Sequence, residues 1–368
     1  MSKRLLIIFS CIIVLVGMGN IYLMRPLFGG QITGDRLDRV KNSPNYKNSQ
    51  FQNLEYTPAV KEGESLLGST CDFLFKDREI RSPKNPLPVV QQDLKSLPSE
   101  DLMIWFGHSS YLLQIDGKKI LVDPVFSNNA SPVPGSNKPF KMSYVYQAAD
   151  FPAIDLLLIS HDHYDHLDYE TIEKMGPQIK RVICGLGVGA HFERWGFKEG
   201  QITELDWYDE TTFEDKFKII STPARHFSGR KFQRNNTLWT SFVFQTEKYN
   251  LFLGGDSGYG KHFKTIGDKY GPFDLAILEN GQYNETWRYI HTMPEELLKE
   301  VVELKAKHFI PVHSAKFALA LHDWKEPLAL VAKHAEEANI PVLTPKMGEI
   351  VYLNKLDQSY EKWWEGLK

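Results

Sequence analysis

Ser160-His161-Asp162-His163-Tyr164-Asp165-His166-Leu167-Asp168 decides how this chain is read. A largely apolar run from Ile154 ends at Ser160, as a buried strand would, and three imidazoles interleaved with carboxylates follow at once. A polar loop that merely caps a helix has little need of three histidines so close together. In a loop, His161 and His163 can turn toward one ion while Asp165 and His166 turn toward a second. Neutral imidazole and carboxylate are borderline ligands suited to zinc, with iron and manganese as lesser options.

Two ions need more ligands than this loop offers, and the rest should lie at strand ends, where side chains converge on one rim. His226 follows Ile219-Ile220-Ser221-Thr222-Pro223-Ala224-Arg225, a strand running into a loop. Asp256 follows Asn250-Leu251-Phe252-Leu253-Gly254-Gly255, whose glycines permit close backbone approach, and His313 ends His308-Phe309-Ile310-Pro311-Val312. Taken singly, each could be a turn or cap residue. Together they complete the count for two metals.

Around these motifs strands and helices alternate irregularly. Leu102–Phe106, Tyr111–Ile115 and Lys119–Val122 read as short strands, the last two joined by the hairpin signal Asp116-Gly117. Val182–Cys184, Lys218–Ser221, Ser241–Gln245, Asn250–Leu253, Asp274–Leu278 and His308–Val312 continue the series. Helical patterns cover Tyr169–Met175, Gly189–Trp195, Lys261–Tyr270, Pro294–Lys307 and Pro327–Asn339, with Pro294 expected in the first turn of its helix. Hairpins mixed with crossovers argue for packed sheets with helices outside, rather than one doubly wound parallel sheet. Residues 25–98 read as a polar, turn-rich extension with Pro83, Pro86, Pro88 and Pro98 spacing out an extended approach.

Composition narrows the function. The 368 residues are 42% hydrophobic and 24% charged, which describes a globular chain with ample apolar surface to bury. Lys and Arg number 43 against 46 Asp and Glu, so the basic excess of a nucleic-acid binder is missing. Three cysteines, Cys11, Cys71 and Cys184, make no disulfide framework. Lys3 and Arg4 precede an uncharged run from Leu5 to Met24, which as a helix would rise about 30 Å and cross a hydrocarbon core. We read it as an uncleaved anchor in preference to a signal peptide cut near Gly17-Met18-Gly19, with the rest of the chain on the non-cytoplasmic side or exported. No Gly-x-Ser-x-Gly elbow and no complete phosphate-cradling Gly-x-x-x-x-Gly-Lys-Ser/Thr loop occurs.

The pattern His-x-His-x-Asp-His after an apolar strand, then a His, a Gly-Asp and a late His, resembles the metallo-β-lactamase fold superfamily. More narrowly the chain is similar to the N-acylphosphatidylethanolamine-hydrolysing phospholipase D group and its bacterial relatives. Trp105-Phe106-Gly107-His108-Ser109-Ser110, Leu121-Val122-Asp123-Pro124, Thr222-Pro223-Ala224-Arg225-His226-Phe227, Gly255-Asp256-Ser257-Gly258-Tyr259 and Gly271-Pro272-Phe273-Asp274 support this. The resemblance implies an α+β, four-layer αββα sandwich with two zinc ions at the rim between its sheets. His161, His163 and His226 would hold one ion, Asp165, His166 and His313 the other, and Asp256 both. Composition and motifs together divide the chain into an anchor or signal segment (1–24), an extension (25–98), a hydrolase domain (99–355) and a tail (356–368). The stretch Glu279-Asn280-Gly281-Gln282-Tyr283-Asn284 departs from the mammalian lipase at a segment lining the site.

The activity implied is dinuclear zinc phosphodiester hydrolysis of a glycerophospholipid. A hydroxide bridging the ions would attack phosphorus in line. Asp165 would orient or deprotonate the bridging water. His291, ahead of the Pro294 helix, would meet the phosphate or the leaving oxygen unless it is simply a helix-entry residue. His108 and Asp123 read as supports rather than ligands, and His191, His262, His308, His322 and His334 as structural or surface residues. The same core opens acyl bonds, so a lactone or ester hydrolase is the alternative, and a catalytically inert envelope binding protein is a third reading.

Overall fold

The computed structural model describes residues 3–76 and 79–368. Among these residues, thirteen strands build two mixed sheets. In chain order they are β1 Leu102–Trp105, β2 Tyr111–Ile115, β3 Lys118–Val122, β4 Ile154–Ile159, β5 Ile179–Gly185, β6 Ile202–Leu205 and β7 Glu210–Phe213. They continue with β8 Phe217–Thr222, β9 Ser241–Gln245, β10 Asn250–Leu253, β11 Phe273–Glu279, β12 Ala306–Val312 and β13 Ile350–Tyr352. The seven-stranded sheet has the order β13-β1-β2-β3-β4-β5-β6, and the six-stranded sheet β12-β11-β10-β9-β8-β7. In the first, the β3–β4, β4–β5 and β5–β6 pairs are parallel; in the second, β10–β11 and β11–β12 are. The hairpin pairs are antiparallel, Tyr111 opposite Val122 in β2–β3 and Ile220 opposite Val243 in β8–β9.

Strict alternation sends one set of side chains from each sheet into a shared core. Met103, Trp105 and Leu113 of the first sheet meet Ile219, Phe244, Leu253, Ile277 and Ile310 of the second. The opposite face of the first sheet packs Leu157 and Val182 on Ile172, Met175 and Phe192 from helices Tyr169–Met175 and Gly189–Arg194. The outer face of the second packs Val243 and Ala276 on Phe263, Val301 and Val331 from helices His262–Tyr270, Leu297–Glu303 and Glu326–Ala338. Helix, sheet, sheet and helix make four layers. Each fully buried Leu, Ile or Phe contributes roughly 1.5–3 kcal/mol, so the layering rests on many equivalent contacts.

Several expectations change. β6, β7 and β13 were not anticipated; β7 carries Thr211 and Thr212 at an exposed edge and shows no apolar run, and β13 is only three residues long. The helix expected over Pro294–Lys307 is only Leu297–Glu303. Pro294 lies in a preceding turn closed by Glu296 N–H donating to Met293 O at 2.8 Å, and Lys305 takes φ 58°, which ends the helix and lets β12 begin at Ala306. The extension is more ordered than an extended approach: it contains helices Gly34–Asn42 and Leu66–Phe75 and a hairpin pairing Tyr46–Lys47 with Gln50–Phe51.

At the N-terminus, Lys3–Leu23 is one α-helix whose Ile7, Ile8, Phe9, Ile12, Ile13 and Leu15 are all exposed. Among the described residues no helix is long and apolar enough to cross a membrane. The expected span includes Leu6, whose side chain lies outside the described set.

Candidate metal centre

The chemistry-bearing residues come from the C-terminal ends of strands in both sheets. β4 delivers the loop His161–Asp168, and Asp168 caps the next helix by accepting Glu170 N–H at 3.2 Å. Asp123, just past β3, fixes the start of that loop. One of its oxygens accepts Ser160 N–H at 2.8 Å, and the other faces Ser160 Oγ at 2.5 Å and His166 Nδ1 at 2.8 Å. Asp123 needs φ 40° for this, an uncommon value held by the surrounding bonds. From the second sheet, His226 follows β8, Asp256 follows β10, Glu279 ends β11 and His313 follows β12.

Two donor groups result. His161, His163 and His226 converge, with His161 Nε2 2.8 Å and His226 Nε2 3.2 Å from His163 Nδ1. Asp165, His166 and His313 form the other, joined by His108, whose Nε2 lies 2.9 Å from Asp165 Oδ2. Asp256 sits between them. Its Oδ1 is 3.2 Å from His166 Nε2 and 3.1 Å from His313 Nδ1, while its Oδ2 is 3.7 Å from His226 Nε2 and 4.0 Å from His161 Nε2. All seven expected ligands therefore lie in one cluster. His291 lies beside it, stacked on His313 with ring centres 5.3 Å apart and 3.9 Å from Asp256 Oδ2.

Three polar atoms at the heart of the cluster, His166 Nε2, His313 Nε2 and Asp256 Oδ1, are buried without a hydrogen-bond partner. Buried polar groups are rarely left so. Nitrogen and oxygen donors that face one another suit borderline cations, and the residues present fit a pair of them.

Electrostatics agree with that use at four of the five histidines. Burial holds His161, His226 and His313 well below the ordinary imidazole value and lowers His163, so these rings stay neutral, the form that ligates. His166 moves the other way: burial lowers it, but Asp256 and Asp165 outweigh burial and raise it well above that value. Asp165 and Asp256 stay ionised despite burial, chiefly because of His166. The cluster thus carries negative charge that a cation would balance.

Supports that the sequence did not reveal surround it. Glu279 accepts Thr292 N–H at 2.5 Å and bonds His291 Nδ1 at 2.9 Å. Burial pushes Glu279 up to about 7, and Glu279 in turn raises His291 against its own burial. Its position as a strand-end acid on the same rim as His313 was the available signal. Asn53 of the extension grips His226, accepting its N–H at 3.1 Å and donating to its C=O at 2.8 Å. Arg230, fully buried, donates to Asp162 O, Leu167 O and Leu27 O and so ties the extension to the metal loop. Asp162 turns away from the centre to His191 Nε2 at 3.1 Å and Thr237 Oγ1 at 2.9 Å. A cavity of about 240 Å³ opens over the centre, walled by Val60, Leu66, Phe227, Trp287, Ile290 and Leu319, with Arg234 also lining it.

Residues 118–314 match the family model described as the beta-lactamase superfamily domain. An uncharacterized protein of Mycobacterium tuberculosis is 37% identical over 84% of this chain and 85% of its own length. The N-acyl-phosphatidylethanolamine-hydrolyzing phospholipase D 1 of Caenorhabditis elegans is 29% identical over 77% of this chain and 84% of its own. Among solved structures, a metallo hydrolase of the archaeon Ignicoccus hospitalis superposes with a TM-score of 0.51 at 20% identity, covering 68% of this chain and 97% of that one. Taken with a rim of histidines and aspartates drawn from two sheets, these matches show that the chain belongs to the metallo-β-lactamase superfamily and is a metal-dependent hydrolase.

Proposed function

We propose that the chain is a dinuclear zinc phosphodiesterase that cleaves a glycerophospholipid in the manner named for its C. elegans relative, releasing phosphatidic acid and an alcohol or amide. The observation that carries this reading is Asp256, whose two oxygens face two separate donor groups. Histidines 161, 163 and 226 would hold one ion, Asp165, His166 and His313 the other, and Asp256 both. When bound, such a pair supplies Lewis acidity toward a phosphoryl oxygen and a hydroxide nucleophile near neutral pH.

The chain's own residues do the rest. Asp165, steadied by His108, orients the attacking water and takes its proton. His291 holds a proton for the leaving oxygen, and Glu279 fixes which ring nitrogen faces the cavity. The apolar walls from Val60 to Leu319 suit acyl chains and exclude bulk water. The exposed apolar helix Lys3–Leu23 holds the protein at a membrane with its hydrolase body on the non-cytoplasmic side, which raises the local concentration of a lipid substrate.

The test is turnover by the purified, metal-loaded chain on N-acylphosphatidylethanolamine and on a lactone panel, with products identified by mass spectrometry and metal by elemental analysis. Phosphatidic acid from the lipid, with two zinc ions per chain, is the expected result. Turnover of lactones alone eliminates the lipase reading.

A further inference from the structure

A second cavity, of about 430 Å³, lies apart from the metal centre. Its walls include Phe106, Phe126, Phe140, Met142, Tyr146 and Met347, and no acidic residue lines it. It has one internal charge. Lys316 is buried, with Nζ 2.7 Å from Val125 O and 3.3 Å from Phe106 O and 5.0 Å from the Phe126 ring centre. An ammonium carries three N–H donors, and two are used. Asp168 acts on Lys316 from a distance, but its oxygens already accept Ser127 N–H, Thr171 O–H and Glu170 N–H. Among the described residues Lys316 makes no ion pair, a costly state for a buried cation. Burial accordingly lowers it to about 7. Lys141, which is exposed, adds a second positive charge to the lining.

We propose that this cavity binds a single-chain carboxylate amphiphile, a free fatty acid, with its carboxylate on the remaining Lys316 N–H and its chain along the aromatic and methionine walls. The volume falls in the lower part of the roughly 300–1,000 Å³ range of small-molecule sites, which fits one chain rather than a two-chain lipid. One free donor suits a carboxylate; a phosphate calls for several donors or a guanidinium fork. The cavity backs onto the seam that carries two residues of the metal centre. Phe317 lies against His108 with ring centres 5.2 Å apart, and His108 and His313 are cross-bonded through His108 N–H to Ser314 O at 2.8 Å and His313 N–H to His108 O at 2.9 Å. The assignment does not depend on the reaction proposed above.

Calorimetric titration of the metal-loaded full chain with decanoate, decyl phosphate and decanol tests it. Decanoate is expected to bind one per chain and about tenfold or more tighter than decanol, the gain from one charge-assisted bond in an apolar site. Lys316→Met should erase that gap while zinc content stays the same, and Val89→Trp, which fills the cavity, should abolish binding of both. Equal affinity for decanoate and decanol in the wild type overturns the proposal. So does tighter binding of decyl phosphate than of decanoate. Decanoate binding that survives both substitutions, or disappears when metal is stripped, assigns the carboxylate to the metal centre instead and equally overturns it. Should Lys316→Met fail to fold, the decanoate–decanol gap and the Val89→Trp variant decide the matter.

Discussion

At the residue scale, the centre distinguishes residues that face both donor groups from residues that serve one. Asp256 presents an oxygen to each group, so Asp256→Ala should lose both ions, whereas His226→Ala should mainly lose one. Elemental analysis after dialysis separates the two outcomes; retention of both ions by Asp256→Ala would remove the basis for the shared-ligand reading. Asp123 touches no ion in this scheme but aims His166 and Ser160. Asp123→Asn should therefore weaken metal affinity by about 10- to 100-fold without abolishing it, read by competition with a chromogenic chelator. Glu279 acts one step further out, through His291. If His291 protonates the leaving oxygen, Glu279→Gln should slow kcat by about tenfold or more on an alkoxide-releasing diester. The same variant should leave an activated aryl diester almost untouched, since a good leaving group needs no proton. Equal losses on both substrates point to a structural role only.

At the element scale, the rule is that every donor lies at the C-terminal end of a strand. That much was readable from sequence, because β4, β8, β10 and β12 each carry an apolar stretch followed within a few residues by a His or Asp. Two edge strands were not readable: β7 is short and polar on one side, and β13 is only three residues long. Nor were the contributions of the extension, because Asn53 reaching His226 and Leu27 reaching Arg230 join residues more than 150 positions apart, and no local pattern encodes such contacts. The resemblance to a known superfamily named the seven expected ligands, but not Glu279, whose stretch departs from the mammalian lipase. Helix His262–Tyr270 adds a pH-dependent term of its own. His262, at its first turn, bonds Ser257 Oγ at 3.0 Å, and burial, with Arg225 nearby, lowers its pKa to about 3. The unfolded chain takes up this proton near pH 6.5 while the folded chain refuses it, so its contribution is fully present above about 6.5 and is lost as pH falls toward 3. The slope is at most about 1.4 kcal/mol per pH unit. Urea unfolding between pH 7 and pH 4 should show a shallower loss for His262→Gln than for the wild type; identical slopes would exclude His262 as the source.

At the scale of the whole molecule, the two sheets share an apolar core and meet at a buried polar rim, where His161, His163, Asp165 and His166 from one sheet face His226, Asp256 and His313 from the other. Without a cation this rim concentrates buried carboxylates and orphaned nitrogens between layers that otherwise hold together mainly by packing. A ligand that binds only the folded arrangement stabilises it by about 2.7 kcal/mol per site at a hundredfold excess over Kd. Two ions should therefore fasten the sheets to each other as well as supply chemistry. Chelation is expected to lower Tm by several degrees, with zinc restoring it. In Asp256→Ala the same additions should hardly move Tm, because the residue that spans both donor groups is gone. The measurement is a pair of thermal scans, each accompanied by elemental analysis to prove that metal has left or returned. A wild-type Tm indifferent to proven metal removal would mean that the rim is held by the protein alone, and that the ions play no part in joining the layers.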